Sequence, residues 1–303
     1  MGEGLPRILR TIAFAAVLLG SALESSASAQ CAVAPATPVQ AAPALPPGVR
    51  VGLALGSGSM HGYAHLGVLQ EIEARKLPVS VVSGTSVGAL VGALWASGLT
   101  AADIEAIARR ENLADLGRPS GNWQSLMDNS AQRLPLDRAL RGRPIEQWPL
   151  RFGAVATNVA NGERRIIASG DGTTAILASS AVPVLYQPVV VGGERLVDGA
   201  LVEPVPVDAA RDLGANFVIG VDVAYRPYEE ETSGITGYAF QSMHILVNSL
   251  AAAQMRSADV AIRLNLHHRF TECGREALID AGREAMRRAW PEVLRALAAR
   301  SRR

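Results

Sequence analysis

The chain has 303 residues, of which 49% are hydrophobic and 19% charged, with a formal net charge of +1. That is the composition of an ordinary globular protein able to bury a core, and its charge gives no electrostatic reason to expect a nucleic-acid partner. Its two cysteines, Cys31 and Cys273, lie far apart, which excludes a disulfide framework and leaves a single bridge or two separate thiols.

Met1 to Ala29 has the three parts of a secretory signal: Arg7 and Arg10, an apolar run from Ile12 to Leu23, and Ala27-Ser28-Ala29 before a cleavage point. The run falls short of the roughly 20 apolar residues that cross a bilayer, so export to the periplasm or the medium is expected rather than anchoring. Cys31 follows closely, but Gln30 stands where a lipoprotein signal carries Gly, Ala or Ser, which disfavours lipid attachment. Residues 30–49 are rich in Pro and Ala without helical or strand periodicity and read as an extended linker.

From Val51 onward the pattern alternates. Short apolar runs at Val51–Leu55 and Val79–Val82 each precede a helical stretch, Tyr63–Arg75 and Val87–Ala96. Further strands are expected at Phe152–Ala156, Arg164–Ala168, Val189–Val191, Arg195–Val197 and Phe217–Val221, with helices at Asp171–Ala178 and Val207–Leu213. The alternation predicts an α/β sheet with parallel neighbours in one folded domain over residues 50–273. Between Leu113 and Trp148 the breakers Gly117, Pro119, Gly121, Pro135 and Pro144 mark an irregular insertion of the kind that forms lids or substrate walls. Tyr238–Ala258 reads as a long apolar helix, expected in the core although it could line an acyl tunnel or contact lipid, and residues 274–303 as a basic C-terminal helix with a solvated face that could attract anionic lipid.

Gly84-Thr85-Ser86-Val87-Gly88 is a G-x-S-x-G run between an apolar strand and a small-residue helix, and that context turns a common pattern into a candidate nucleophile. A tight turn there presents the Ser86 hydroxyl, and the first N–H groups of the following helix face the centre where negative charge develops in acyl transfer. Gly56-Ser57-Gly58-Ser59-Met60-His61-Gly62 follows the first strand and can turn backbone N–H groups towards an anion. A dinucleotide site is set aside, because G-x-G-x-x-G fails at His61 and no acidic residue lies about 20 positions further on. Asp198-Gly199-Ala200 ends another apolar run and places a carboxylate at a strand end.

In this order, a Gly-rich loop, G-x-S-x-G and Asp-Gly-Ala, the chain resembles the patatin-like phospholipases, nearest the bacterial branch similar to the neuropathy target esterase catalytic domain. The resemblance runs from about Val51 to Asp222 and includes Ala156-Thr157-Asn158, Ala178-Ser179-Ser180-Ala181-Val182-Pro183 and Pro204-Val205-Pro206-Val207. It implies a three-layer α/β/α hydrolase with a mainly parallel central sheet, and residues 50–273 as its catalytic domain. It also implies a Ser-Asp dyad, with Ser86 attacking a lipid ester and Asp198 as proton acceptor, no cofactor and no metal. The implied substrate is a phospholipid, lysophospholipid or acylglycerol, with peripheral membrane contact. The oxyanion hole maps onto the backbone of Gly58, Ser59 and Met60.

Relatives read Gly-Gly-Gly-Gly-x-Arg-Gly where this chain has Ser57, Ser59 and His61. If Ser59 holds a positive φ, strain of roughly 1 kcal/mol is expected and the loop's contribution to catalysis suffers, which motivates a second reading as a catalytically silent lipid binder. A third reading, a Ser-Asp-His triad, would draw on His244, His267 or His268. His61 and His65 lie four apart but have no third ligand nearby, so a loop-supporting role is expected of them rather than metal binding.

Overall fold

The computed structural model describes residues 39–110, 118–120, 125–128, 130–224, 234–264, 266 and 269–300. The signal segment, Cys31, most of the linker, His267 and His268 lie outside the described residues, as does the side chain of Cys273.

In chain order the elements are β1 (Val51–Leu55), α1 (Tyr63–Ala74), β2 (Val79–Thr85), α2 (Val87–Ala96) and α3 (Ala101–Arg110). The insertion carries β3 (Arg118–Pro119), β4 (Met127–Asp128) and α4 (Arg133–Leu140). Then come β5 (Arg151–Asn158), β6 (Arg164–Ile167), α5 (Gly172–Ser179), β7 (Val189–Val191) and β8 (Glu194–Asp198). The chain closes with α6 (Val207–Asp212), β9 (Phe217–Asp222), α7 (Gly234–Gln254), β10 (Val260–Arg263) and α8 (Arg269–Arg300).

The main sheet runs β10-β9-β1-β2-β5-β8-β7, with β6 also paired to β5. The first five strands of that order are parallel, whereas β6 and β8 run antiparallel to β5, and β7 antiparallel to β8. A parallel central strand is covered on both faces, which is why β1 and β9 are apolar runs without polar alternation. Side-chain alternation nevertheless separates two cores. Leu53, Leu55, Ile219 and Val221 join the layer of α1, α2, α5 and α8, while Ala54 and Val218 join α6 and the end of α7 on the opposite face. The architecture is therefore three-layer α/β/α around a mainly parallel sheet, as expected.

The C-terminal helix is more than a solvated basic face. It is broken at Gly274, where φ is 67°, and beyond that point Leu278, Met286, Trp290, Val293 and Leu297 are buried against the core. Its crossing with α1 is close: a Cβ on Gly67 would strike Ile279 O, and one on Gly282 would strike Ala64 O. Beside that crossing, buried Glu71 accepts from Arg75 at 3.0 Å and from Arg287 at 2.7 Å, and the Arg75 guanidinium lies over the Trp290 ring.

Further elements were not expected. Helix α3 buries Ala101, Ile104 and Ala108 on one face, α4 forms inside the insertion, and β10 adds an edge strand to β9. A correction concerns α7: it spans Gly234–Gln254 rather than Tyr238–Ala258, and it is not a core helix. Ala251 is buried, but Tyr238, Ile245, Leu246 and Leu250 are exposed.

Candidate active site

Ser86 is held by the turn between β2 and α2 at φ 57°, ψ −124°, a backbone state that costs a non-glycine residue roughly 1 to 3 kcal/mol. Glycine flanks it because nothing else fits: a Cβ on Gly88 would enter Leu55 O, and one on Gly84 would enter Gly88 O. The Ser86 N–H donates to Ser179 Oγ at 2.9 Å, and Ser179 Oγ donates in turn to Val155 O at 2.5 Å. The α2 helix that opens at Val87 turns its unsatisfied first N–H groups to the same place.

Strand register brings the carboxylate to the same level. Thr85 pairs with Val155 on one side of β5, and Asp198 pairs with Ala156 on the other, so β5 spaces the two side chains. Asp198 N–H donates to Ala181 O, and Thr157 Oγ1 donates to Asp198 O at 2.8 Å. The side chain, 3% exposed, accepts from the Ala200 N–H at 2.8 Å and feels the Ser86 side chain nearby. Burial pushes its pKa up to about 6, against the opposing pull of the Ala200 N–H and the Ser86 side chain. Among the described residues no imidazole acts on it: His244 lies instead beside His61, and burial depresses its pKa.

The Gly-rich loop is fixed at its start and open in its middle. Gly56 N–H donates to Val221 O, Ser57 N–H to Pro204 O, and His61 N–H to Gly58 O. Among the described residues no backbone acceptor meets the N–H groups of Gly58 and Ser59. Ser59 holds φ 50°, so it stands in the left-handed conformation that favours glycine. His65 is fully buried with Nε2 at 2.8 Å from Gly56 O, which supports the loop from below, and burial lowers its pKa to about 4. No group of three or more His, Cys, Asp or Glu side chains clusters around a metal-sized space among the described residues.

A cavity of about 170 Å³ opens from Ser59, Met60 and Ser86 and runs between helices α2, α3 and α4. Its walls are apolar, including Leu90, Leu94, Ile104, Ala108, Leu136 and Ile176, so α4 of the insertion supplies a wall.

Three contributors are not legible in the sequence. Ser179 and Thr157 fix the backbones of Ser86 and Asp198. Glu203, buried with its pKa raised by desolvation, accepts from Arg164 and from the Ala209 N–H, while its backbone carbonyl accepts from Thr85 Oγ1 at 2.7 Å. It thereby ties the segment after Asp198 to the strand that ends just before Ser86. Only its carboxylate within an apolar stretch, Leu201-Val202-Glu203-Pro204-Val205, could have signalled this.

The sequence pattern described as Patatin-like phospholipase matches residues 53–211. Lysophospholipase NTE1 of Debaryomyces hansenii is 30% identical over 186 residues, covering 57% of this chain and 12% of that protein. Lysophospholipase NTE1 of Mycosarcoma maydis is 32% identical over 186 residues, covering 58% of this chain and 10% of that protein. The matched part of the chain thus spans about a tenth of the length of these relatives. Among solved structures, VipD from Legionella pneumophila aligns with a TM-score of 0.48 at 16% identity, over 83% of this chain and 67% of that one.

Proposed function

The chain belongs to the patatin-like phospholipase family, and on that premise we propose that it is a serine-dependent lipid acyl hydrolase with Ser86 as nucleophile and Asp198 as base. The observation that carries this reading is the register across β5 that sets Ser86 and a buried Asp198 carboxylate at one level, with the carboxyl pKa raised to about 6. An aspartate at its ordinary pKa is a weak acceptor for a serine proton; burial brings this one closer to the working range of a general base.

In the proposed reaction Asp198 takes the Ser86 hydroxyl proton as Oγ attacks the ester carbonyl carbon. The oxyanion that forms is met by the N–H groups of Gly58 and Ser59, with Met60 beside them, and by the first turn of α2. Collapse breaks the bond to the alcohol, which leaves with the proton held on Asp198. Water then attacks the acyl-enzyme, gives a proton to Asp198, and the fatty acid departs as Ser86 recovers its proton. The apolar cavity beside Ser86 suits an acyl chain. Phospholipid, lysophospholipid and acylglycerol all present the required ester, and the signal at Met1–Ala29 would deliver the activity to the periplasm or the medium.

Ser59 at φ 50° favours one competing reading, a lipid binder without turnover. Intact-mass measurement after exposure to a fluorophosphonate ester separates the two. The hydrolase should take up one label per chain, and Ser86→Ala and Asp198→Asn should take up none. A folded wild-type chain that stays unlabelled would replace the hydrolase with the silent binder.

A further inference from the structure

Helix α7 turns large apolar side chains outward, interrupted only by Ser242 and Ser249, while polar side chains sit among those it turns inward. It carries no Asp, Glu, Lys or Arg over Gly234–Gln254. At helical spacing, Ile235, Tyr238, Ile245, Leu246 and Leu250 face outwards, with Ile235 90%, Tyr238 62% and Leu246 66% exposed. Asn248 is buried and Gln241 and His244 are half-buried on the opposite side, while Gln254 at the helix end bonds to Val202 O and to the Val205 N–H. A helix beside water normally keeps the apolar side inward, and a contiguous exposed apolar stripe marks a contact surface.

The stripe borders the site. Helix α7 packs against the turn Gly199–Leu201 that leads out of Asp198, and Leu201 of that turn is itself exposed. On the other flank His244 lies beside His61 of the Gly-rich loop. We propose that the outer face of α7 docks into the uncharged, apolar layer of a lipid aggregate and so brings the mouth of the site against it. This rests on the lipid-hydrolase reading above.

Two observations choose this occupant over a second copy of the chain. A 21-residue helix is about 30 Å long and about 10 Å wide, so two stripes face to face would bury on the order of 600 Å², about half of what stable protein interfaces bury. The stripe also offers no charge to fix a protein partner's register. No helix among the described residues is long and apolar enough to cross a membrane, so α7 would lie in the interface rather than span it.

The test is co-sedimentation of the full chain with phosphatidylcholine vesicles at low and high salt, using wild type, Ile245→Asp and Leu246→Asp. Both positions are exposed, so thermal melts should match wild type and exclude misfolding. Wild type should bind equally at both salt levels, and each aspartate should weaken binding roughly tenfold. Hydrolysis of a soluble short-chain ester should be unchanged in the variants while hydrolysis of vesicle-borne ester falls. Docking without any ester turnover, still lost in the variants, would uphold the docking surface and remove the hydrolase reading. Three results would overturn the proposal: no binding to neutral vesicles; binding that needs anionic lipid and survives Leu246→Asp, which would point to the C-terminal arginines; or a wild-type dimer that Leu246→Asp dissociates.

Discussion

Replacing Asp198 by Asn should remove activity and raise stability, by an amount set by pH. The folded carboxyl has a pKa of about 6 against an ordinary value of 3.8, so the folded chain holds this proton more tightly than the unfolded one. Its contribution to stability is therefore greatest below about 3.8, declines as pH rises towards 6, and is constant above. The gap between those two pKa values corresponds to a loss of about 3 kcal/mol at neutral pH. Asparagine is uncharged at every pH and keeps an oxygen for the Ala200 N–H, so the variant escapes this loss. At pH 7.5 its melting temperature should exceed that of wild type by about 6 °C or more, and near pH 4 the two should coincide. Thermal melts of both proteins in steps from pH 4 to 8 measure the difference. Turnover should fall by roughly a hundredfold or more in the variant, and wild-type kcat/KM should rise through about pH 6 to a plateau. A melting difference independent of pH, together with a wild-type rate flat through pH 6, would refute the claim that burial of Asp198 sets its basicity.

Two other perturbations follow from the geometry. At Ser59, whose φ is 50°, a β-branched residue is strained, so Ser59→Val should cost about 2 kcal/mol in a denaturant titration. Ser59→Gly should be close to neutral for stability, because relief of strain is offset by a freer unfolded chain, while turnover of a soluble ester should rise as the loop relaxes. Ala108 is buried and lines the cavity of about 170 Å³, so Ala108→Phe should shorten the space open to an acyl chain. A series of esters of increasing chain length should show at least a tenfold loss for long acyl groups and little change for butyrate.

Strands β1, β2, β5 and β9 were legible because continuous apolar runs between turn residues have few alternatives, while Ser86 and Asp198 stood out as candidates because motif and strand context agree. Other features were hidden for identifiable reasons. The orientation of α7 could not be read because a stretch without charge offers little contrast between its faces. Helix α4 carries Pro135, which reads as a breaker but lies in the first turn, where a missing N–H is tolerated. Strand β10 has only four residues, and the alternation of Val260 and Ile262 with Ala261 and Arg263 is too short to register. The roles of Ser179, Thr157 and Glu203 depend on strand register across β5, which no local pattern encodes.

The placement of β1 has a consequence for biosynthesis. Its Val51 pairs with Val79 on one side but with Phe217 on the other, and α1, which continues from the Gly-rich loop, is covered by α8. Contacts so distant in sequence form late and slowly. On the ribosome the nascent chain would carry Ser86 and Asp198 long before it had the framework to align them. The activity proposed here would therefore arise only after α8 has been made, so a nascent chain that stops short of it would pose little threat to the membranes of the cell that makes it.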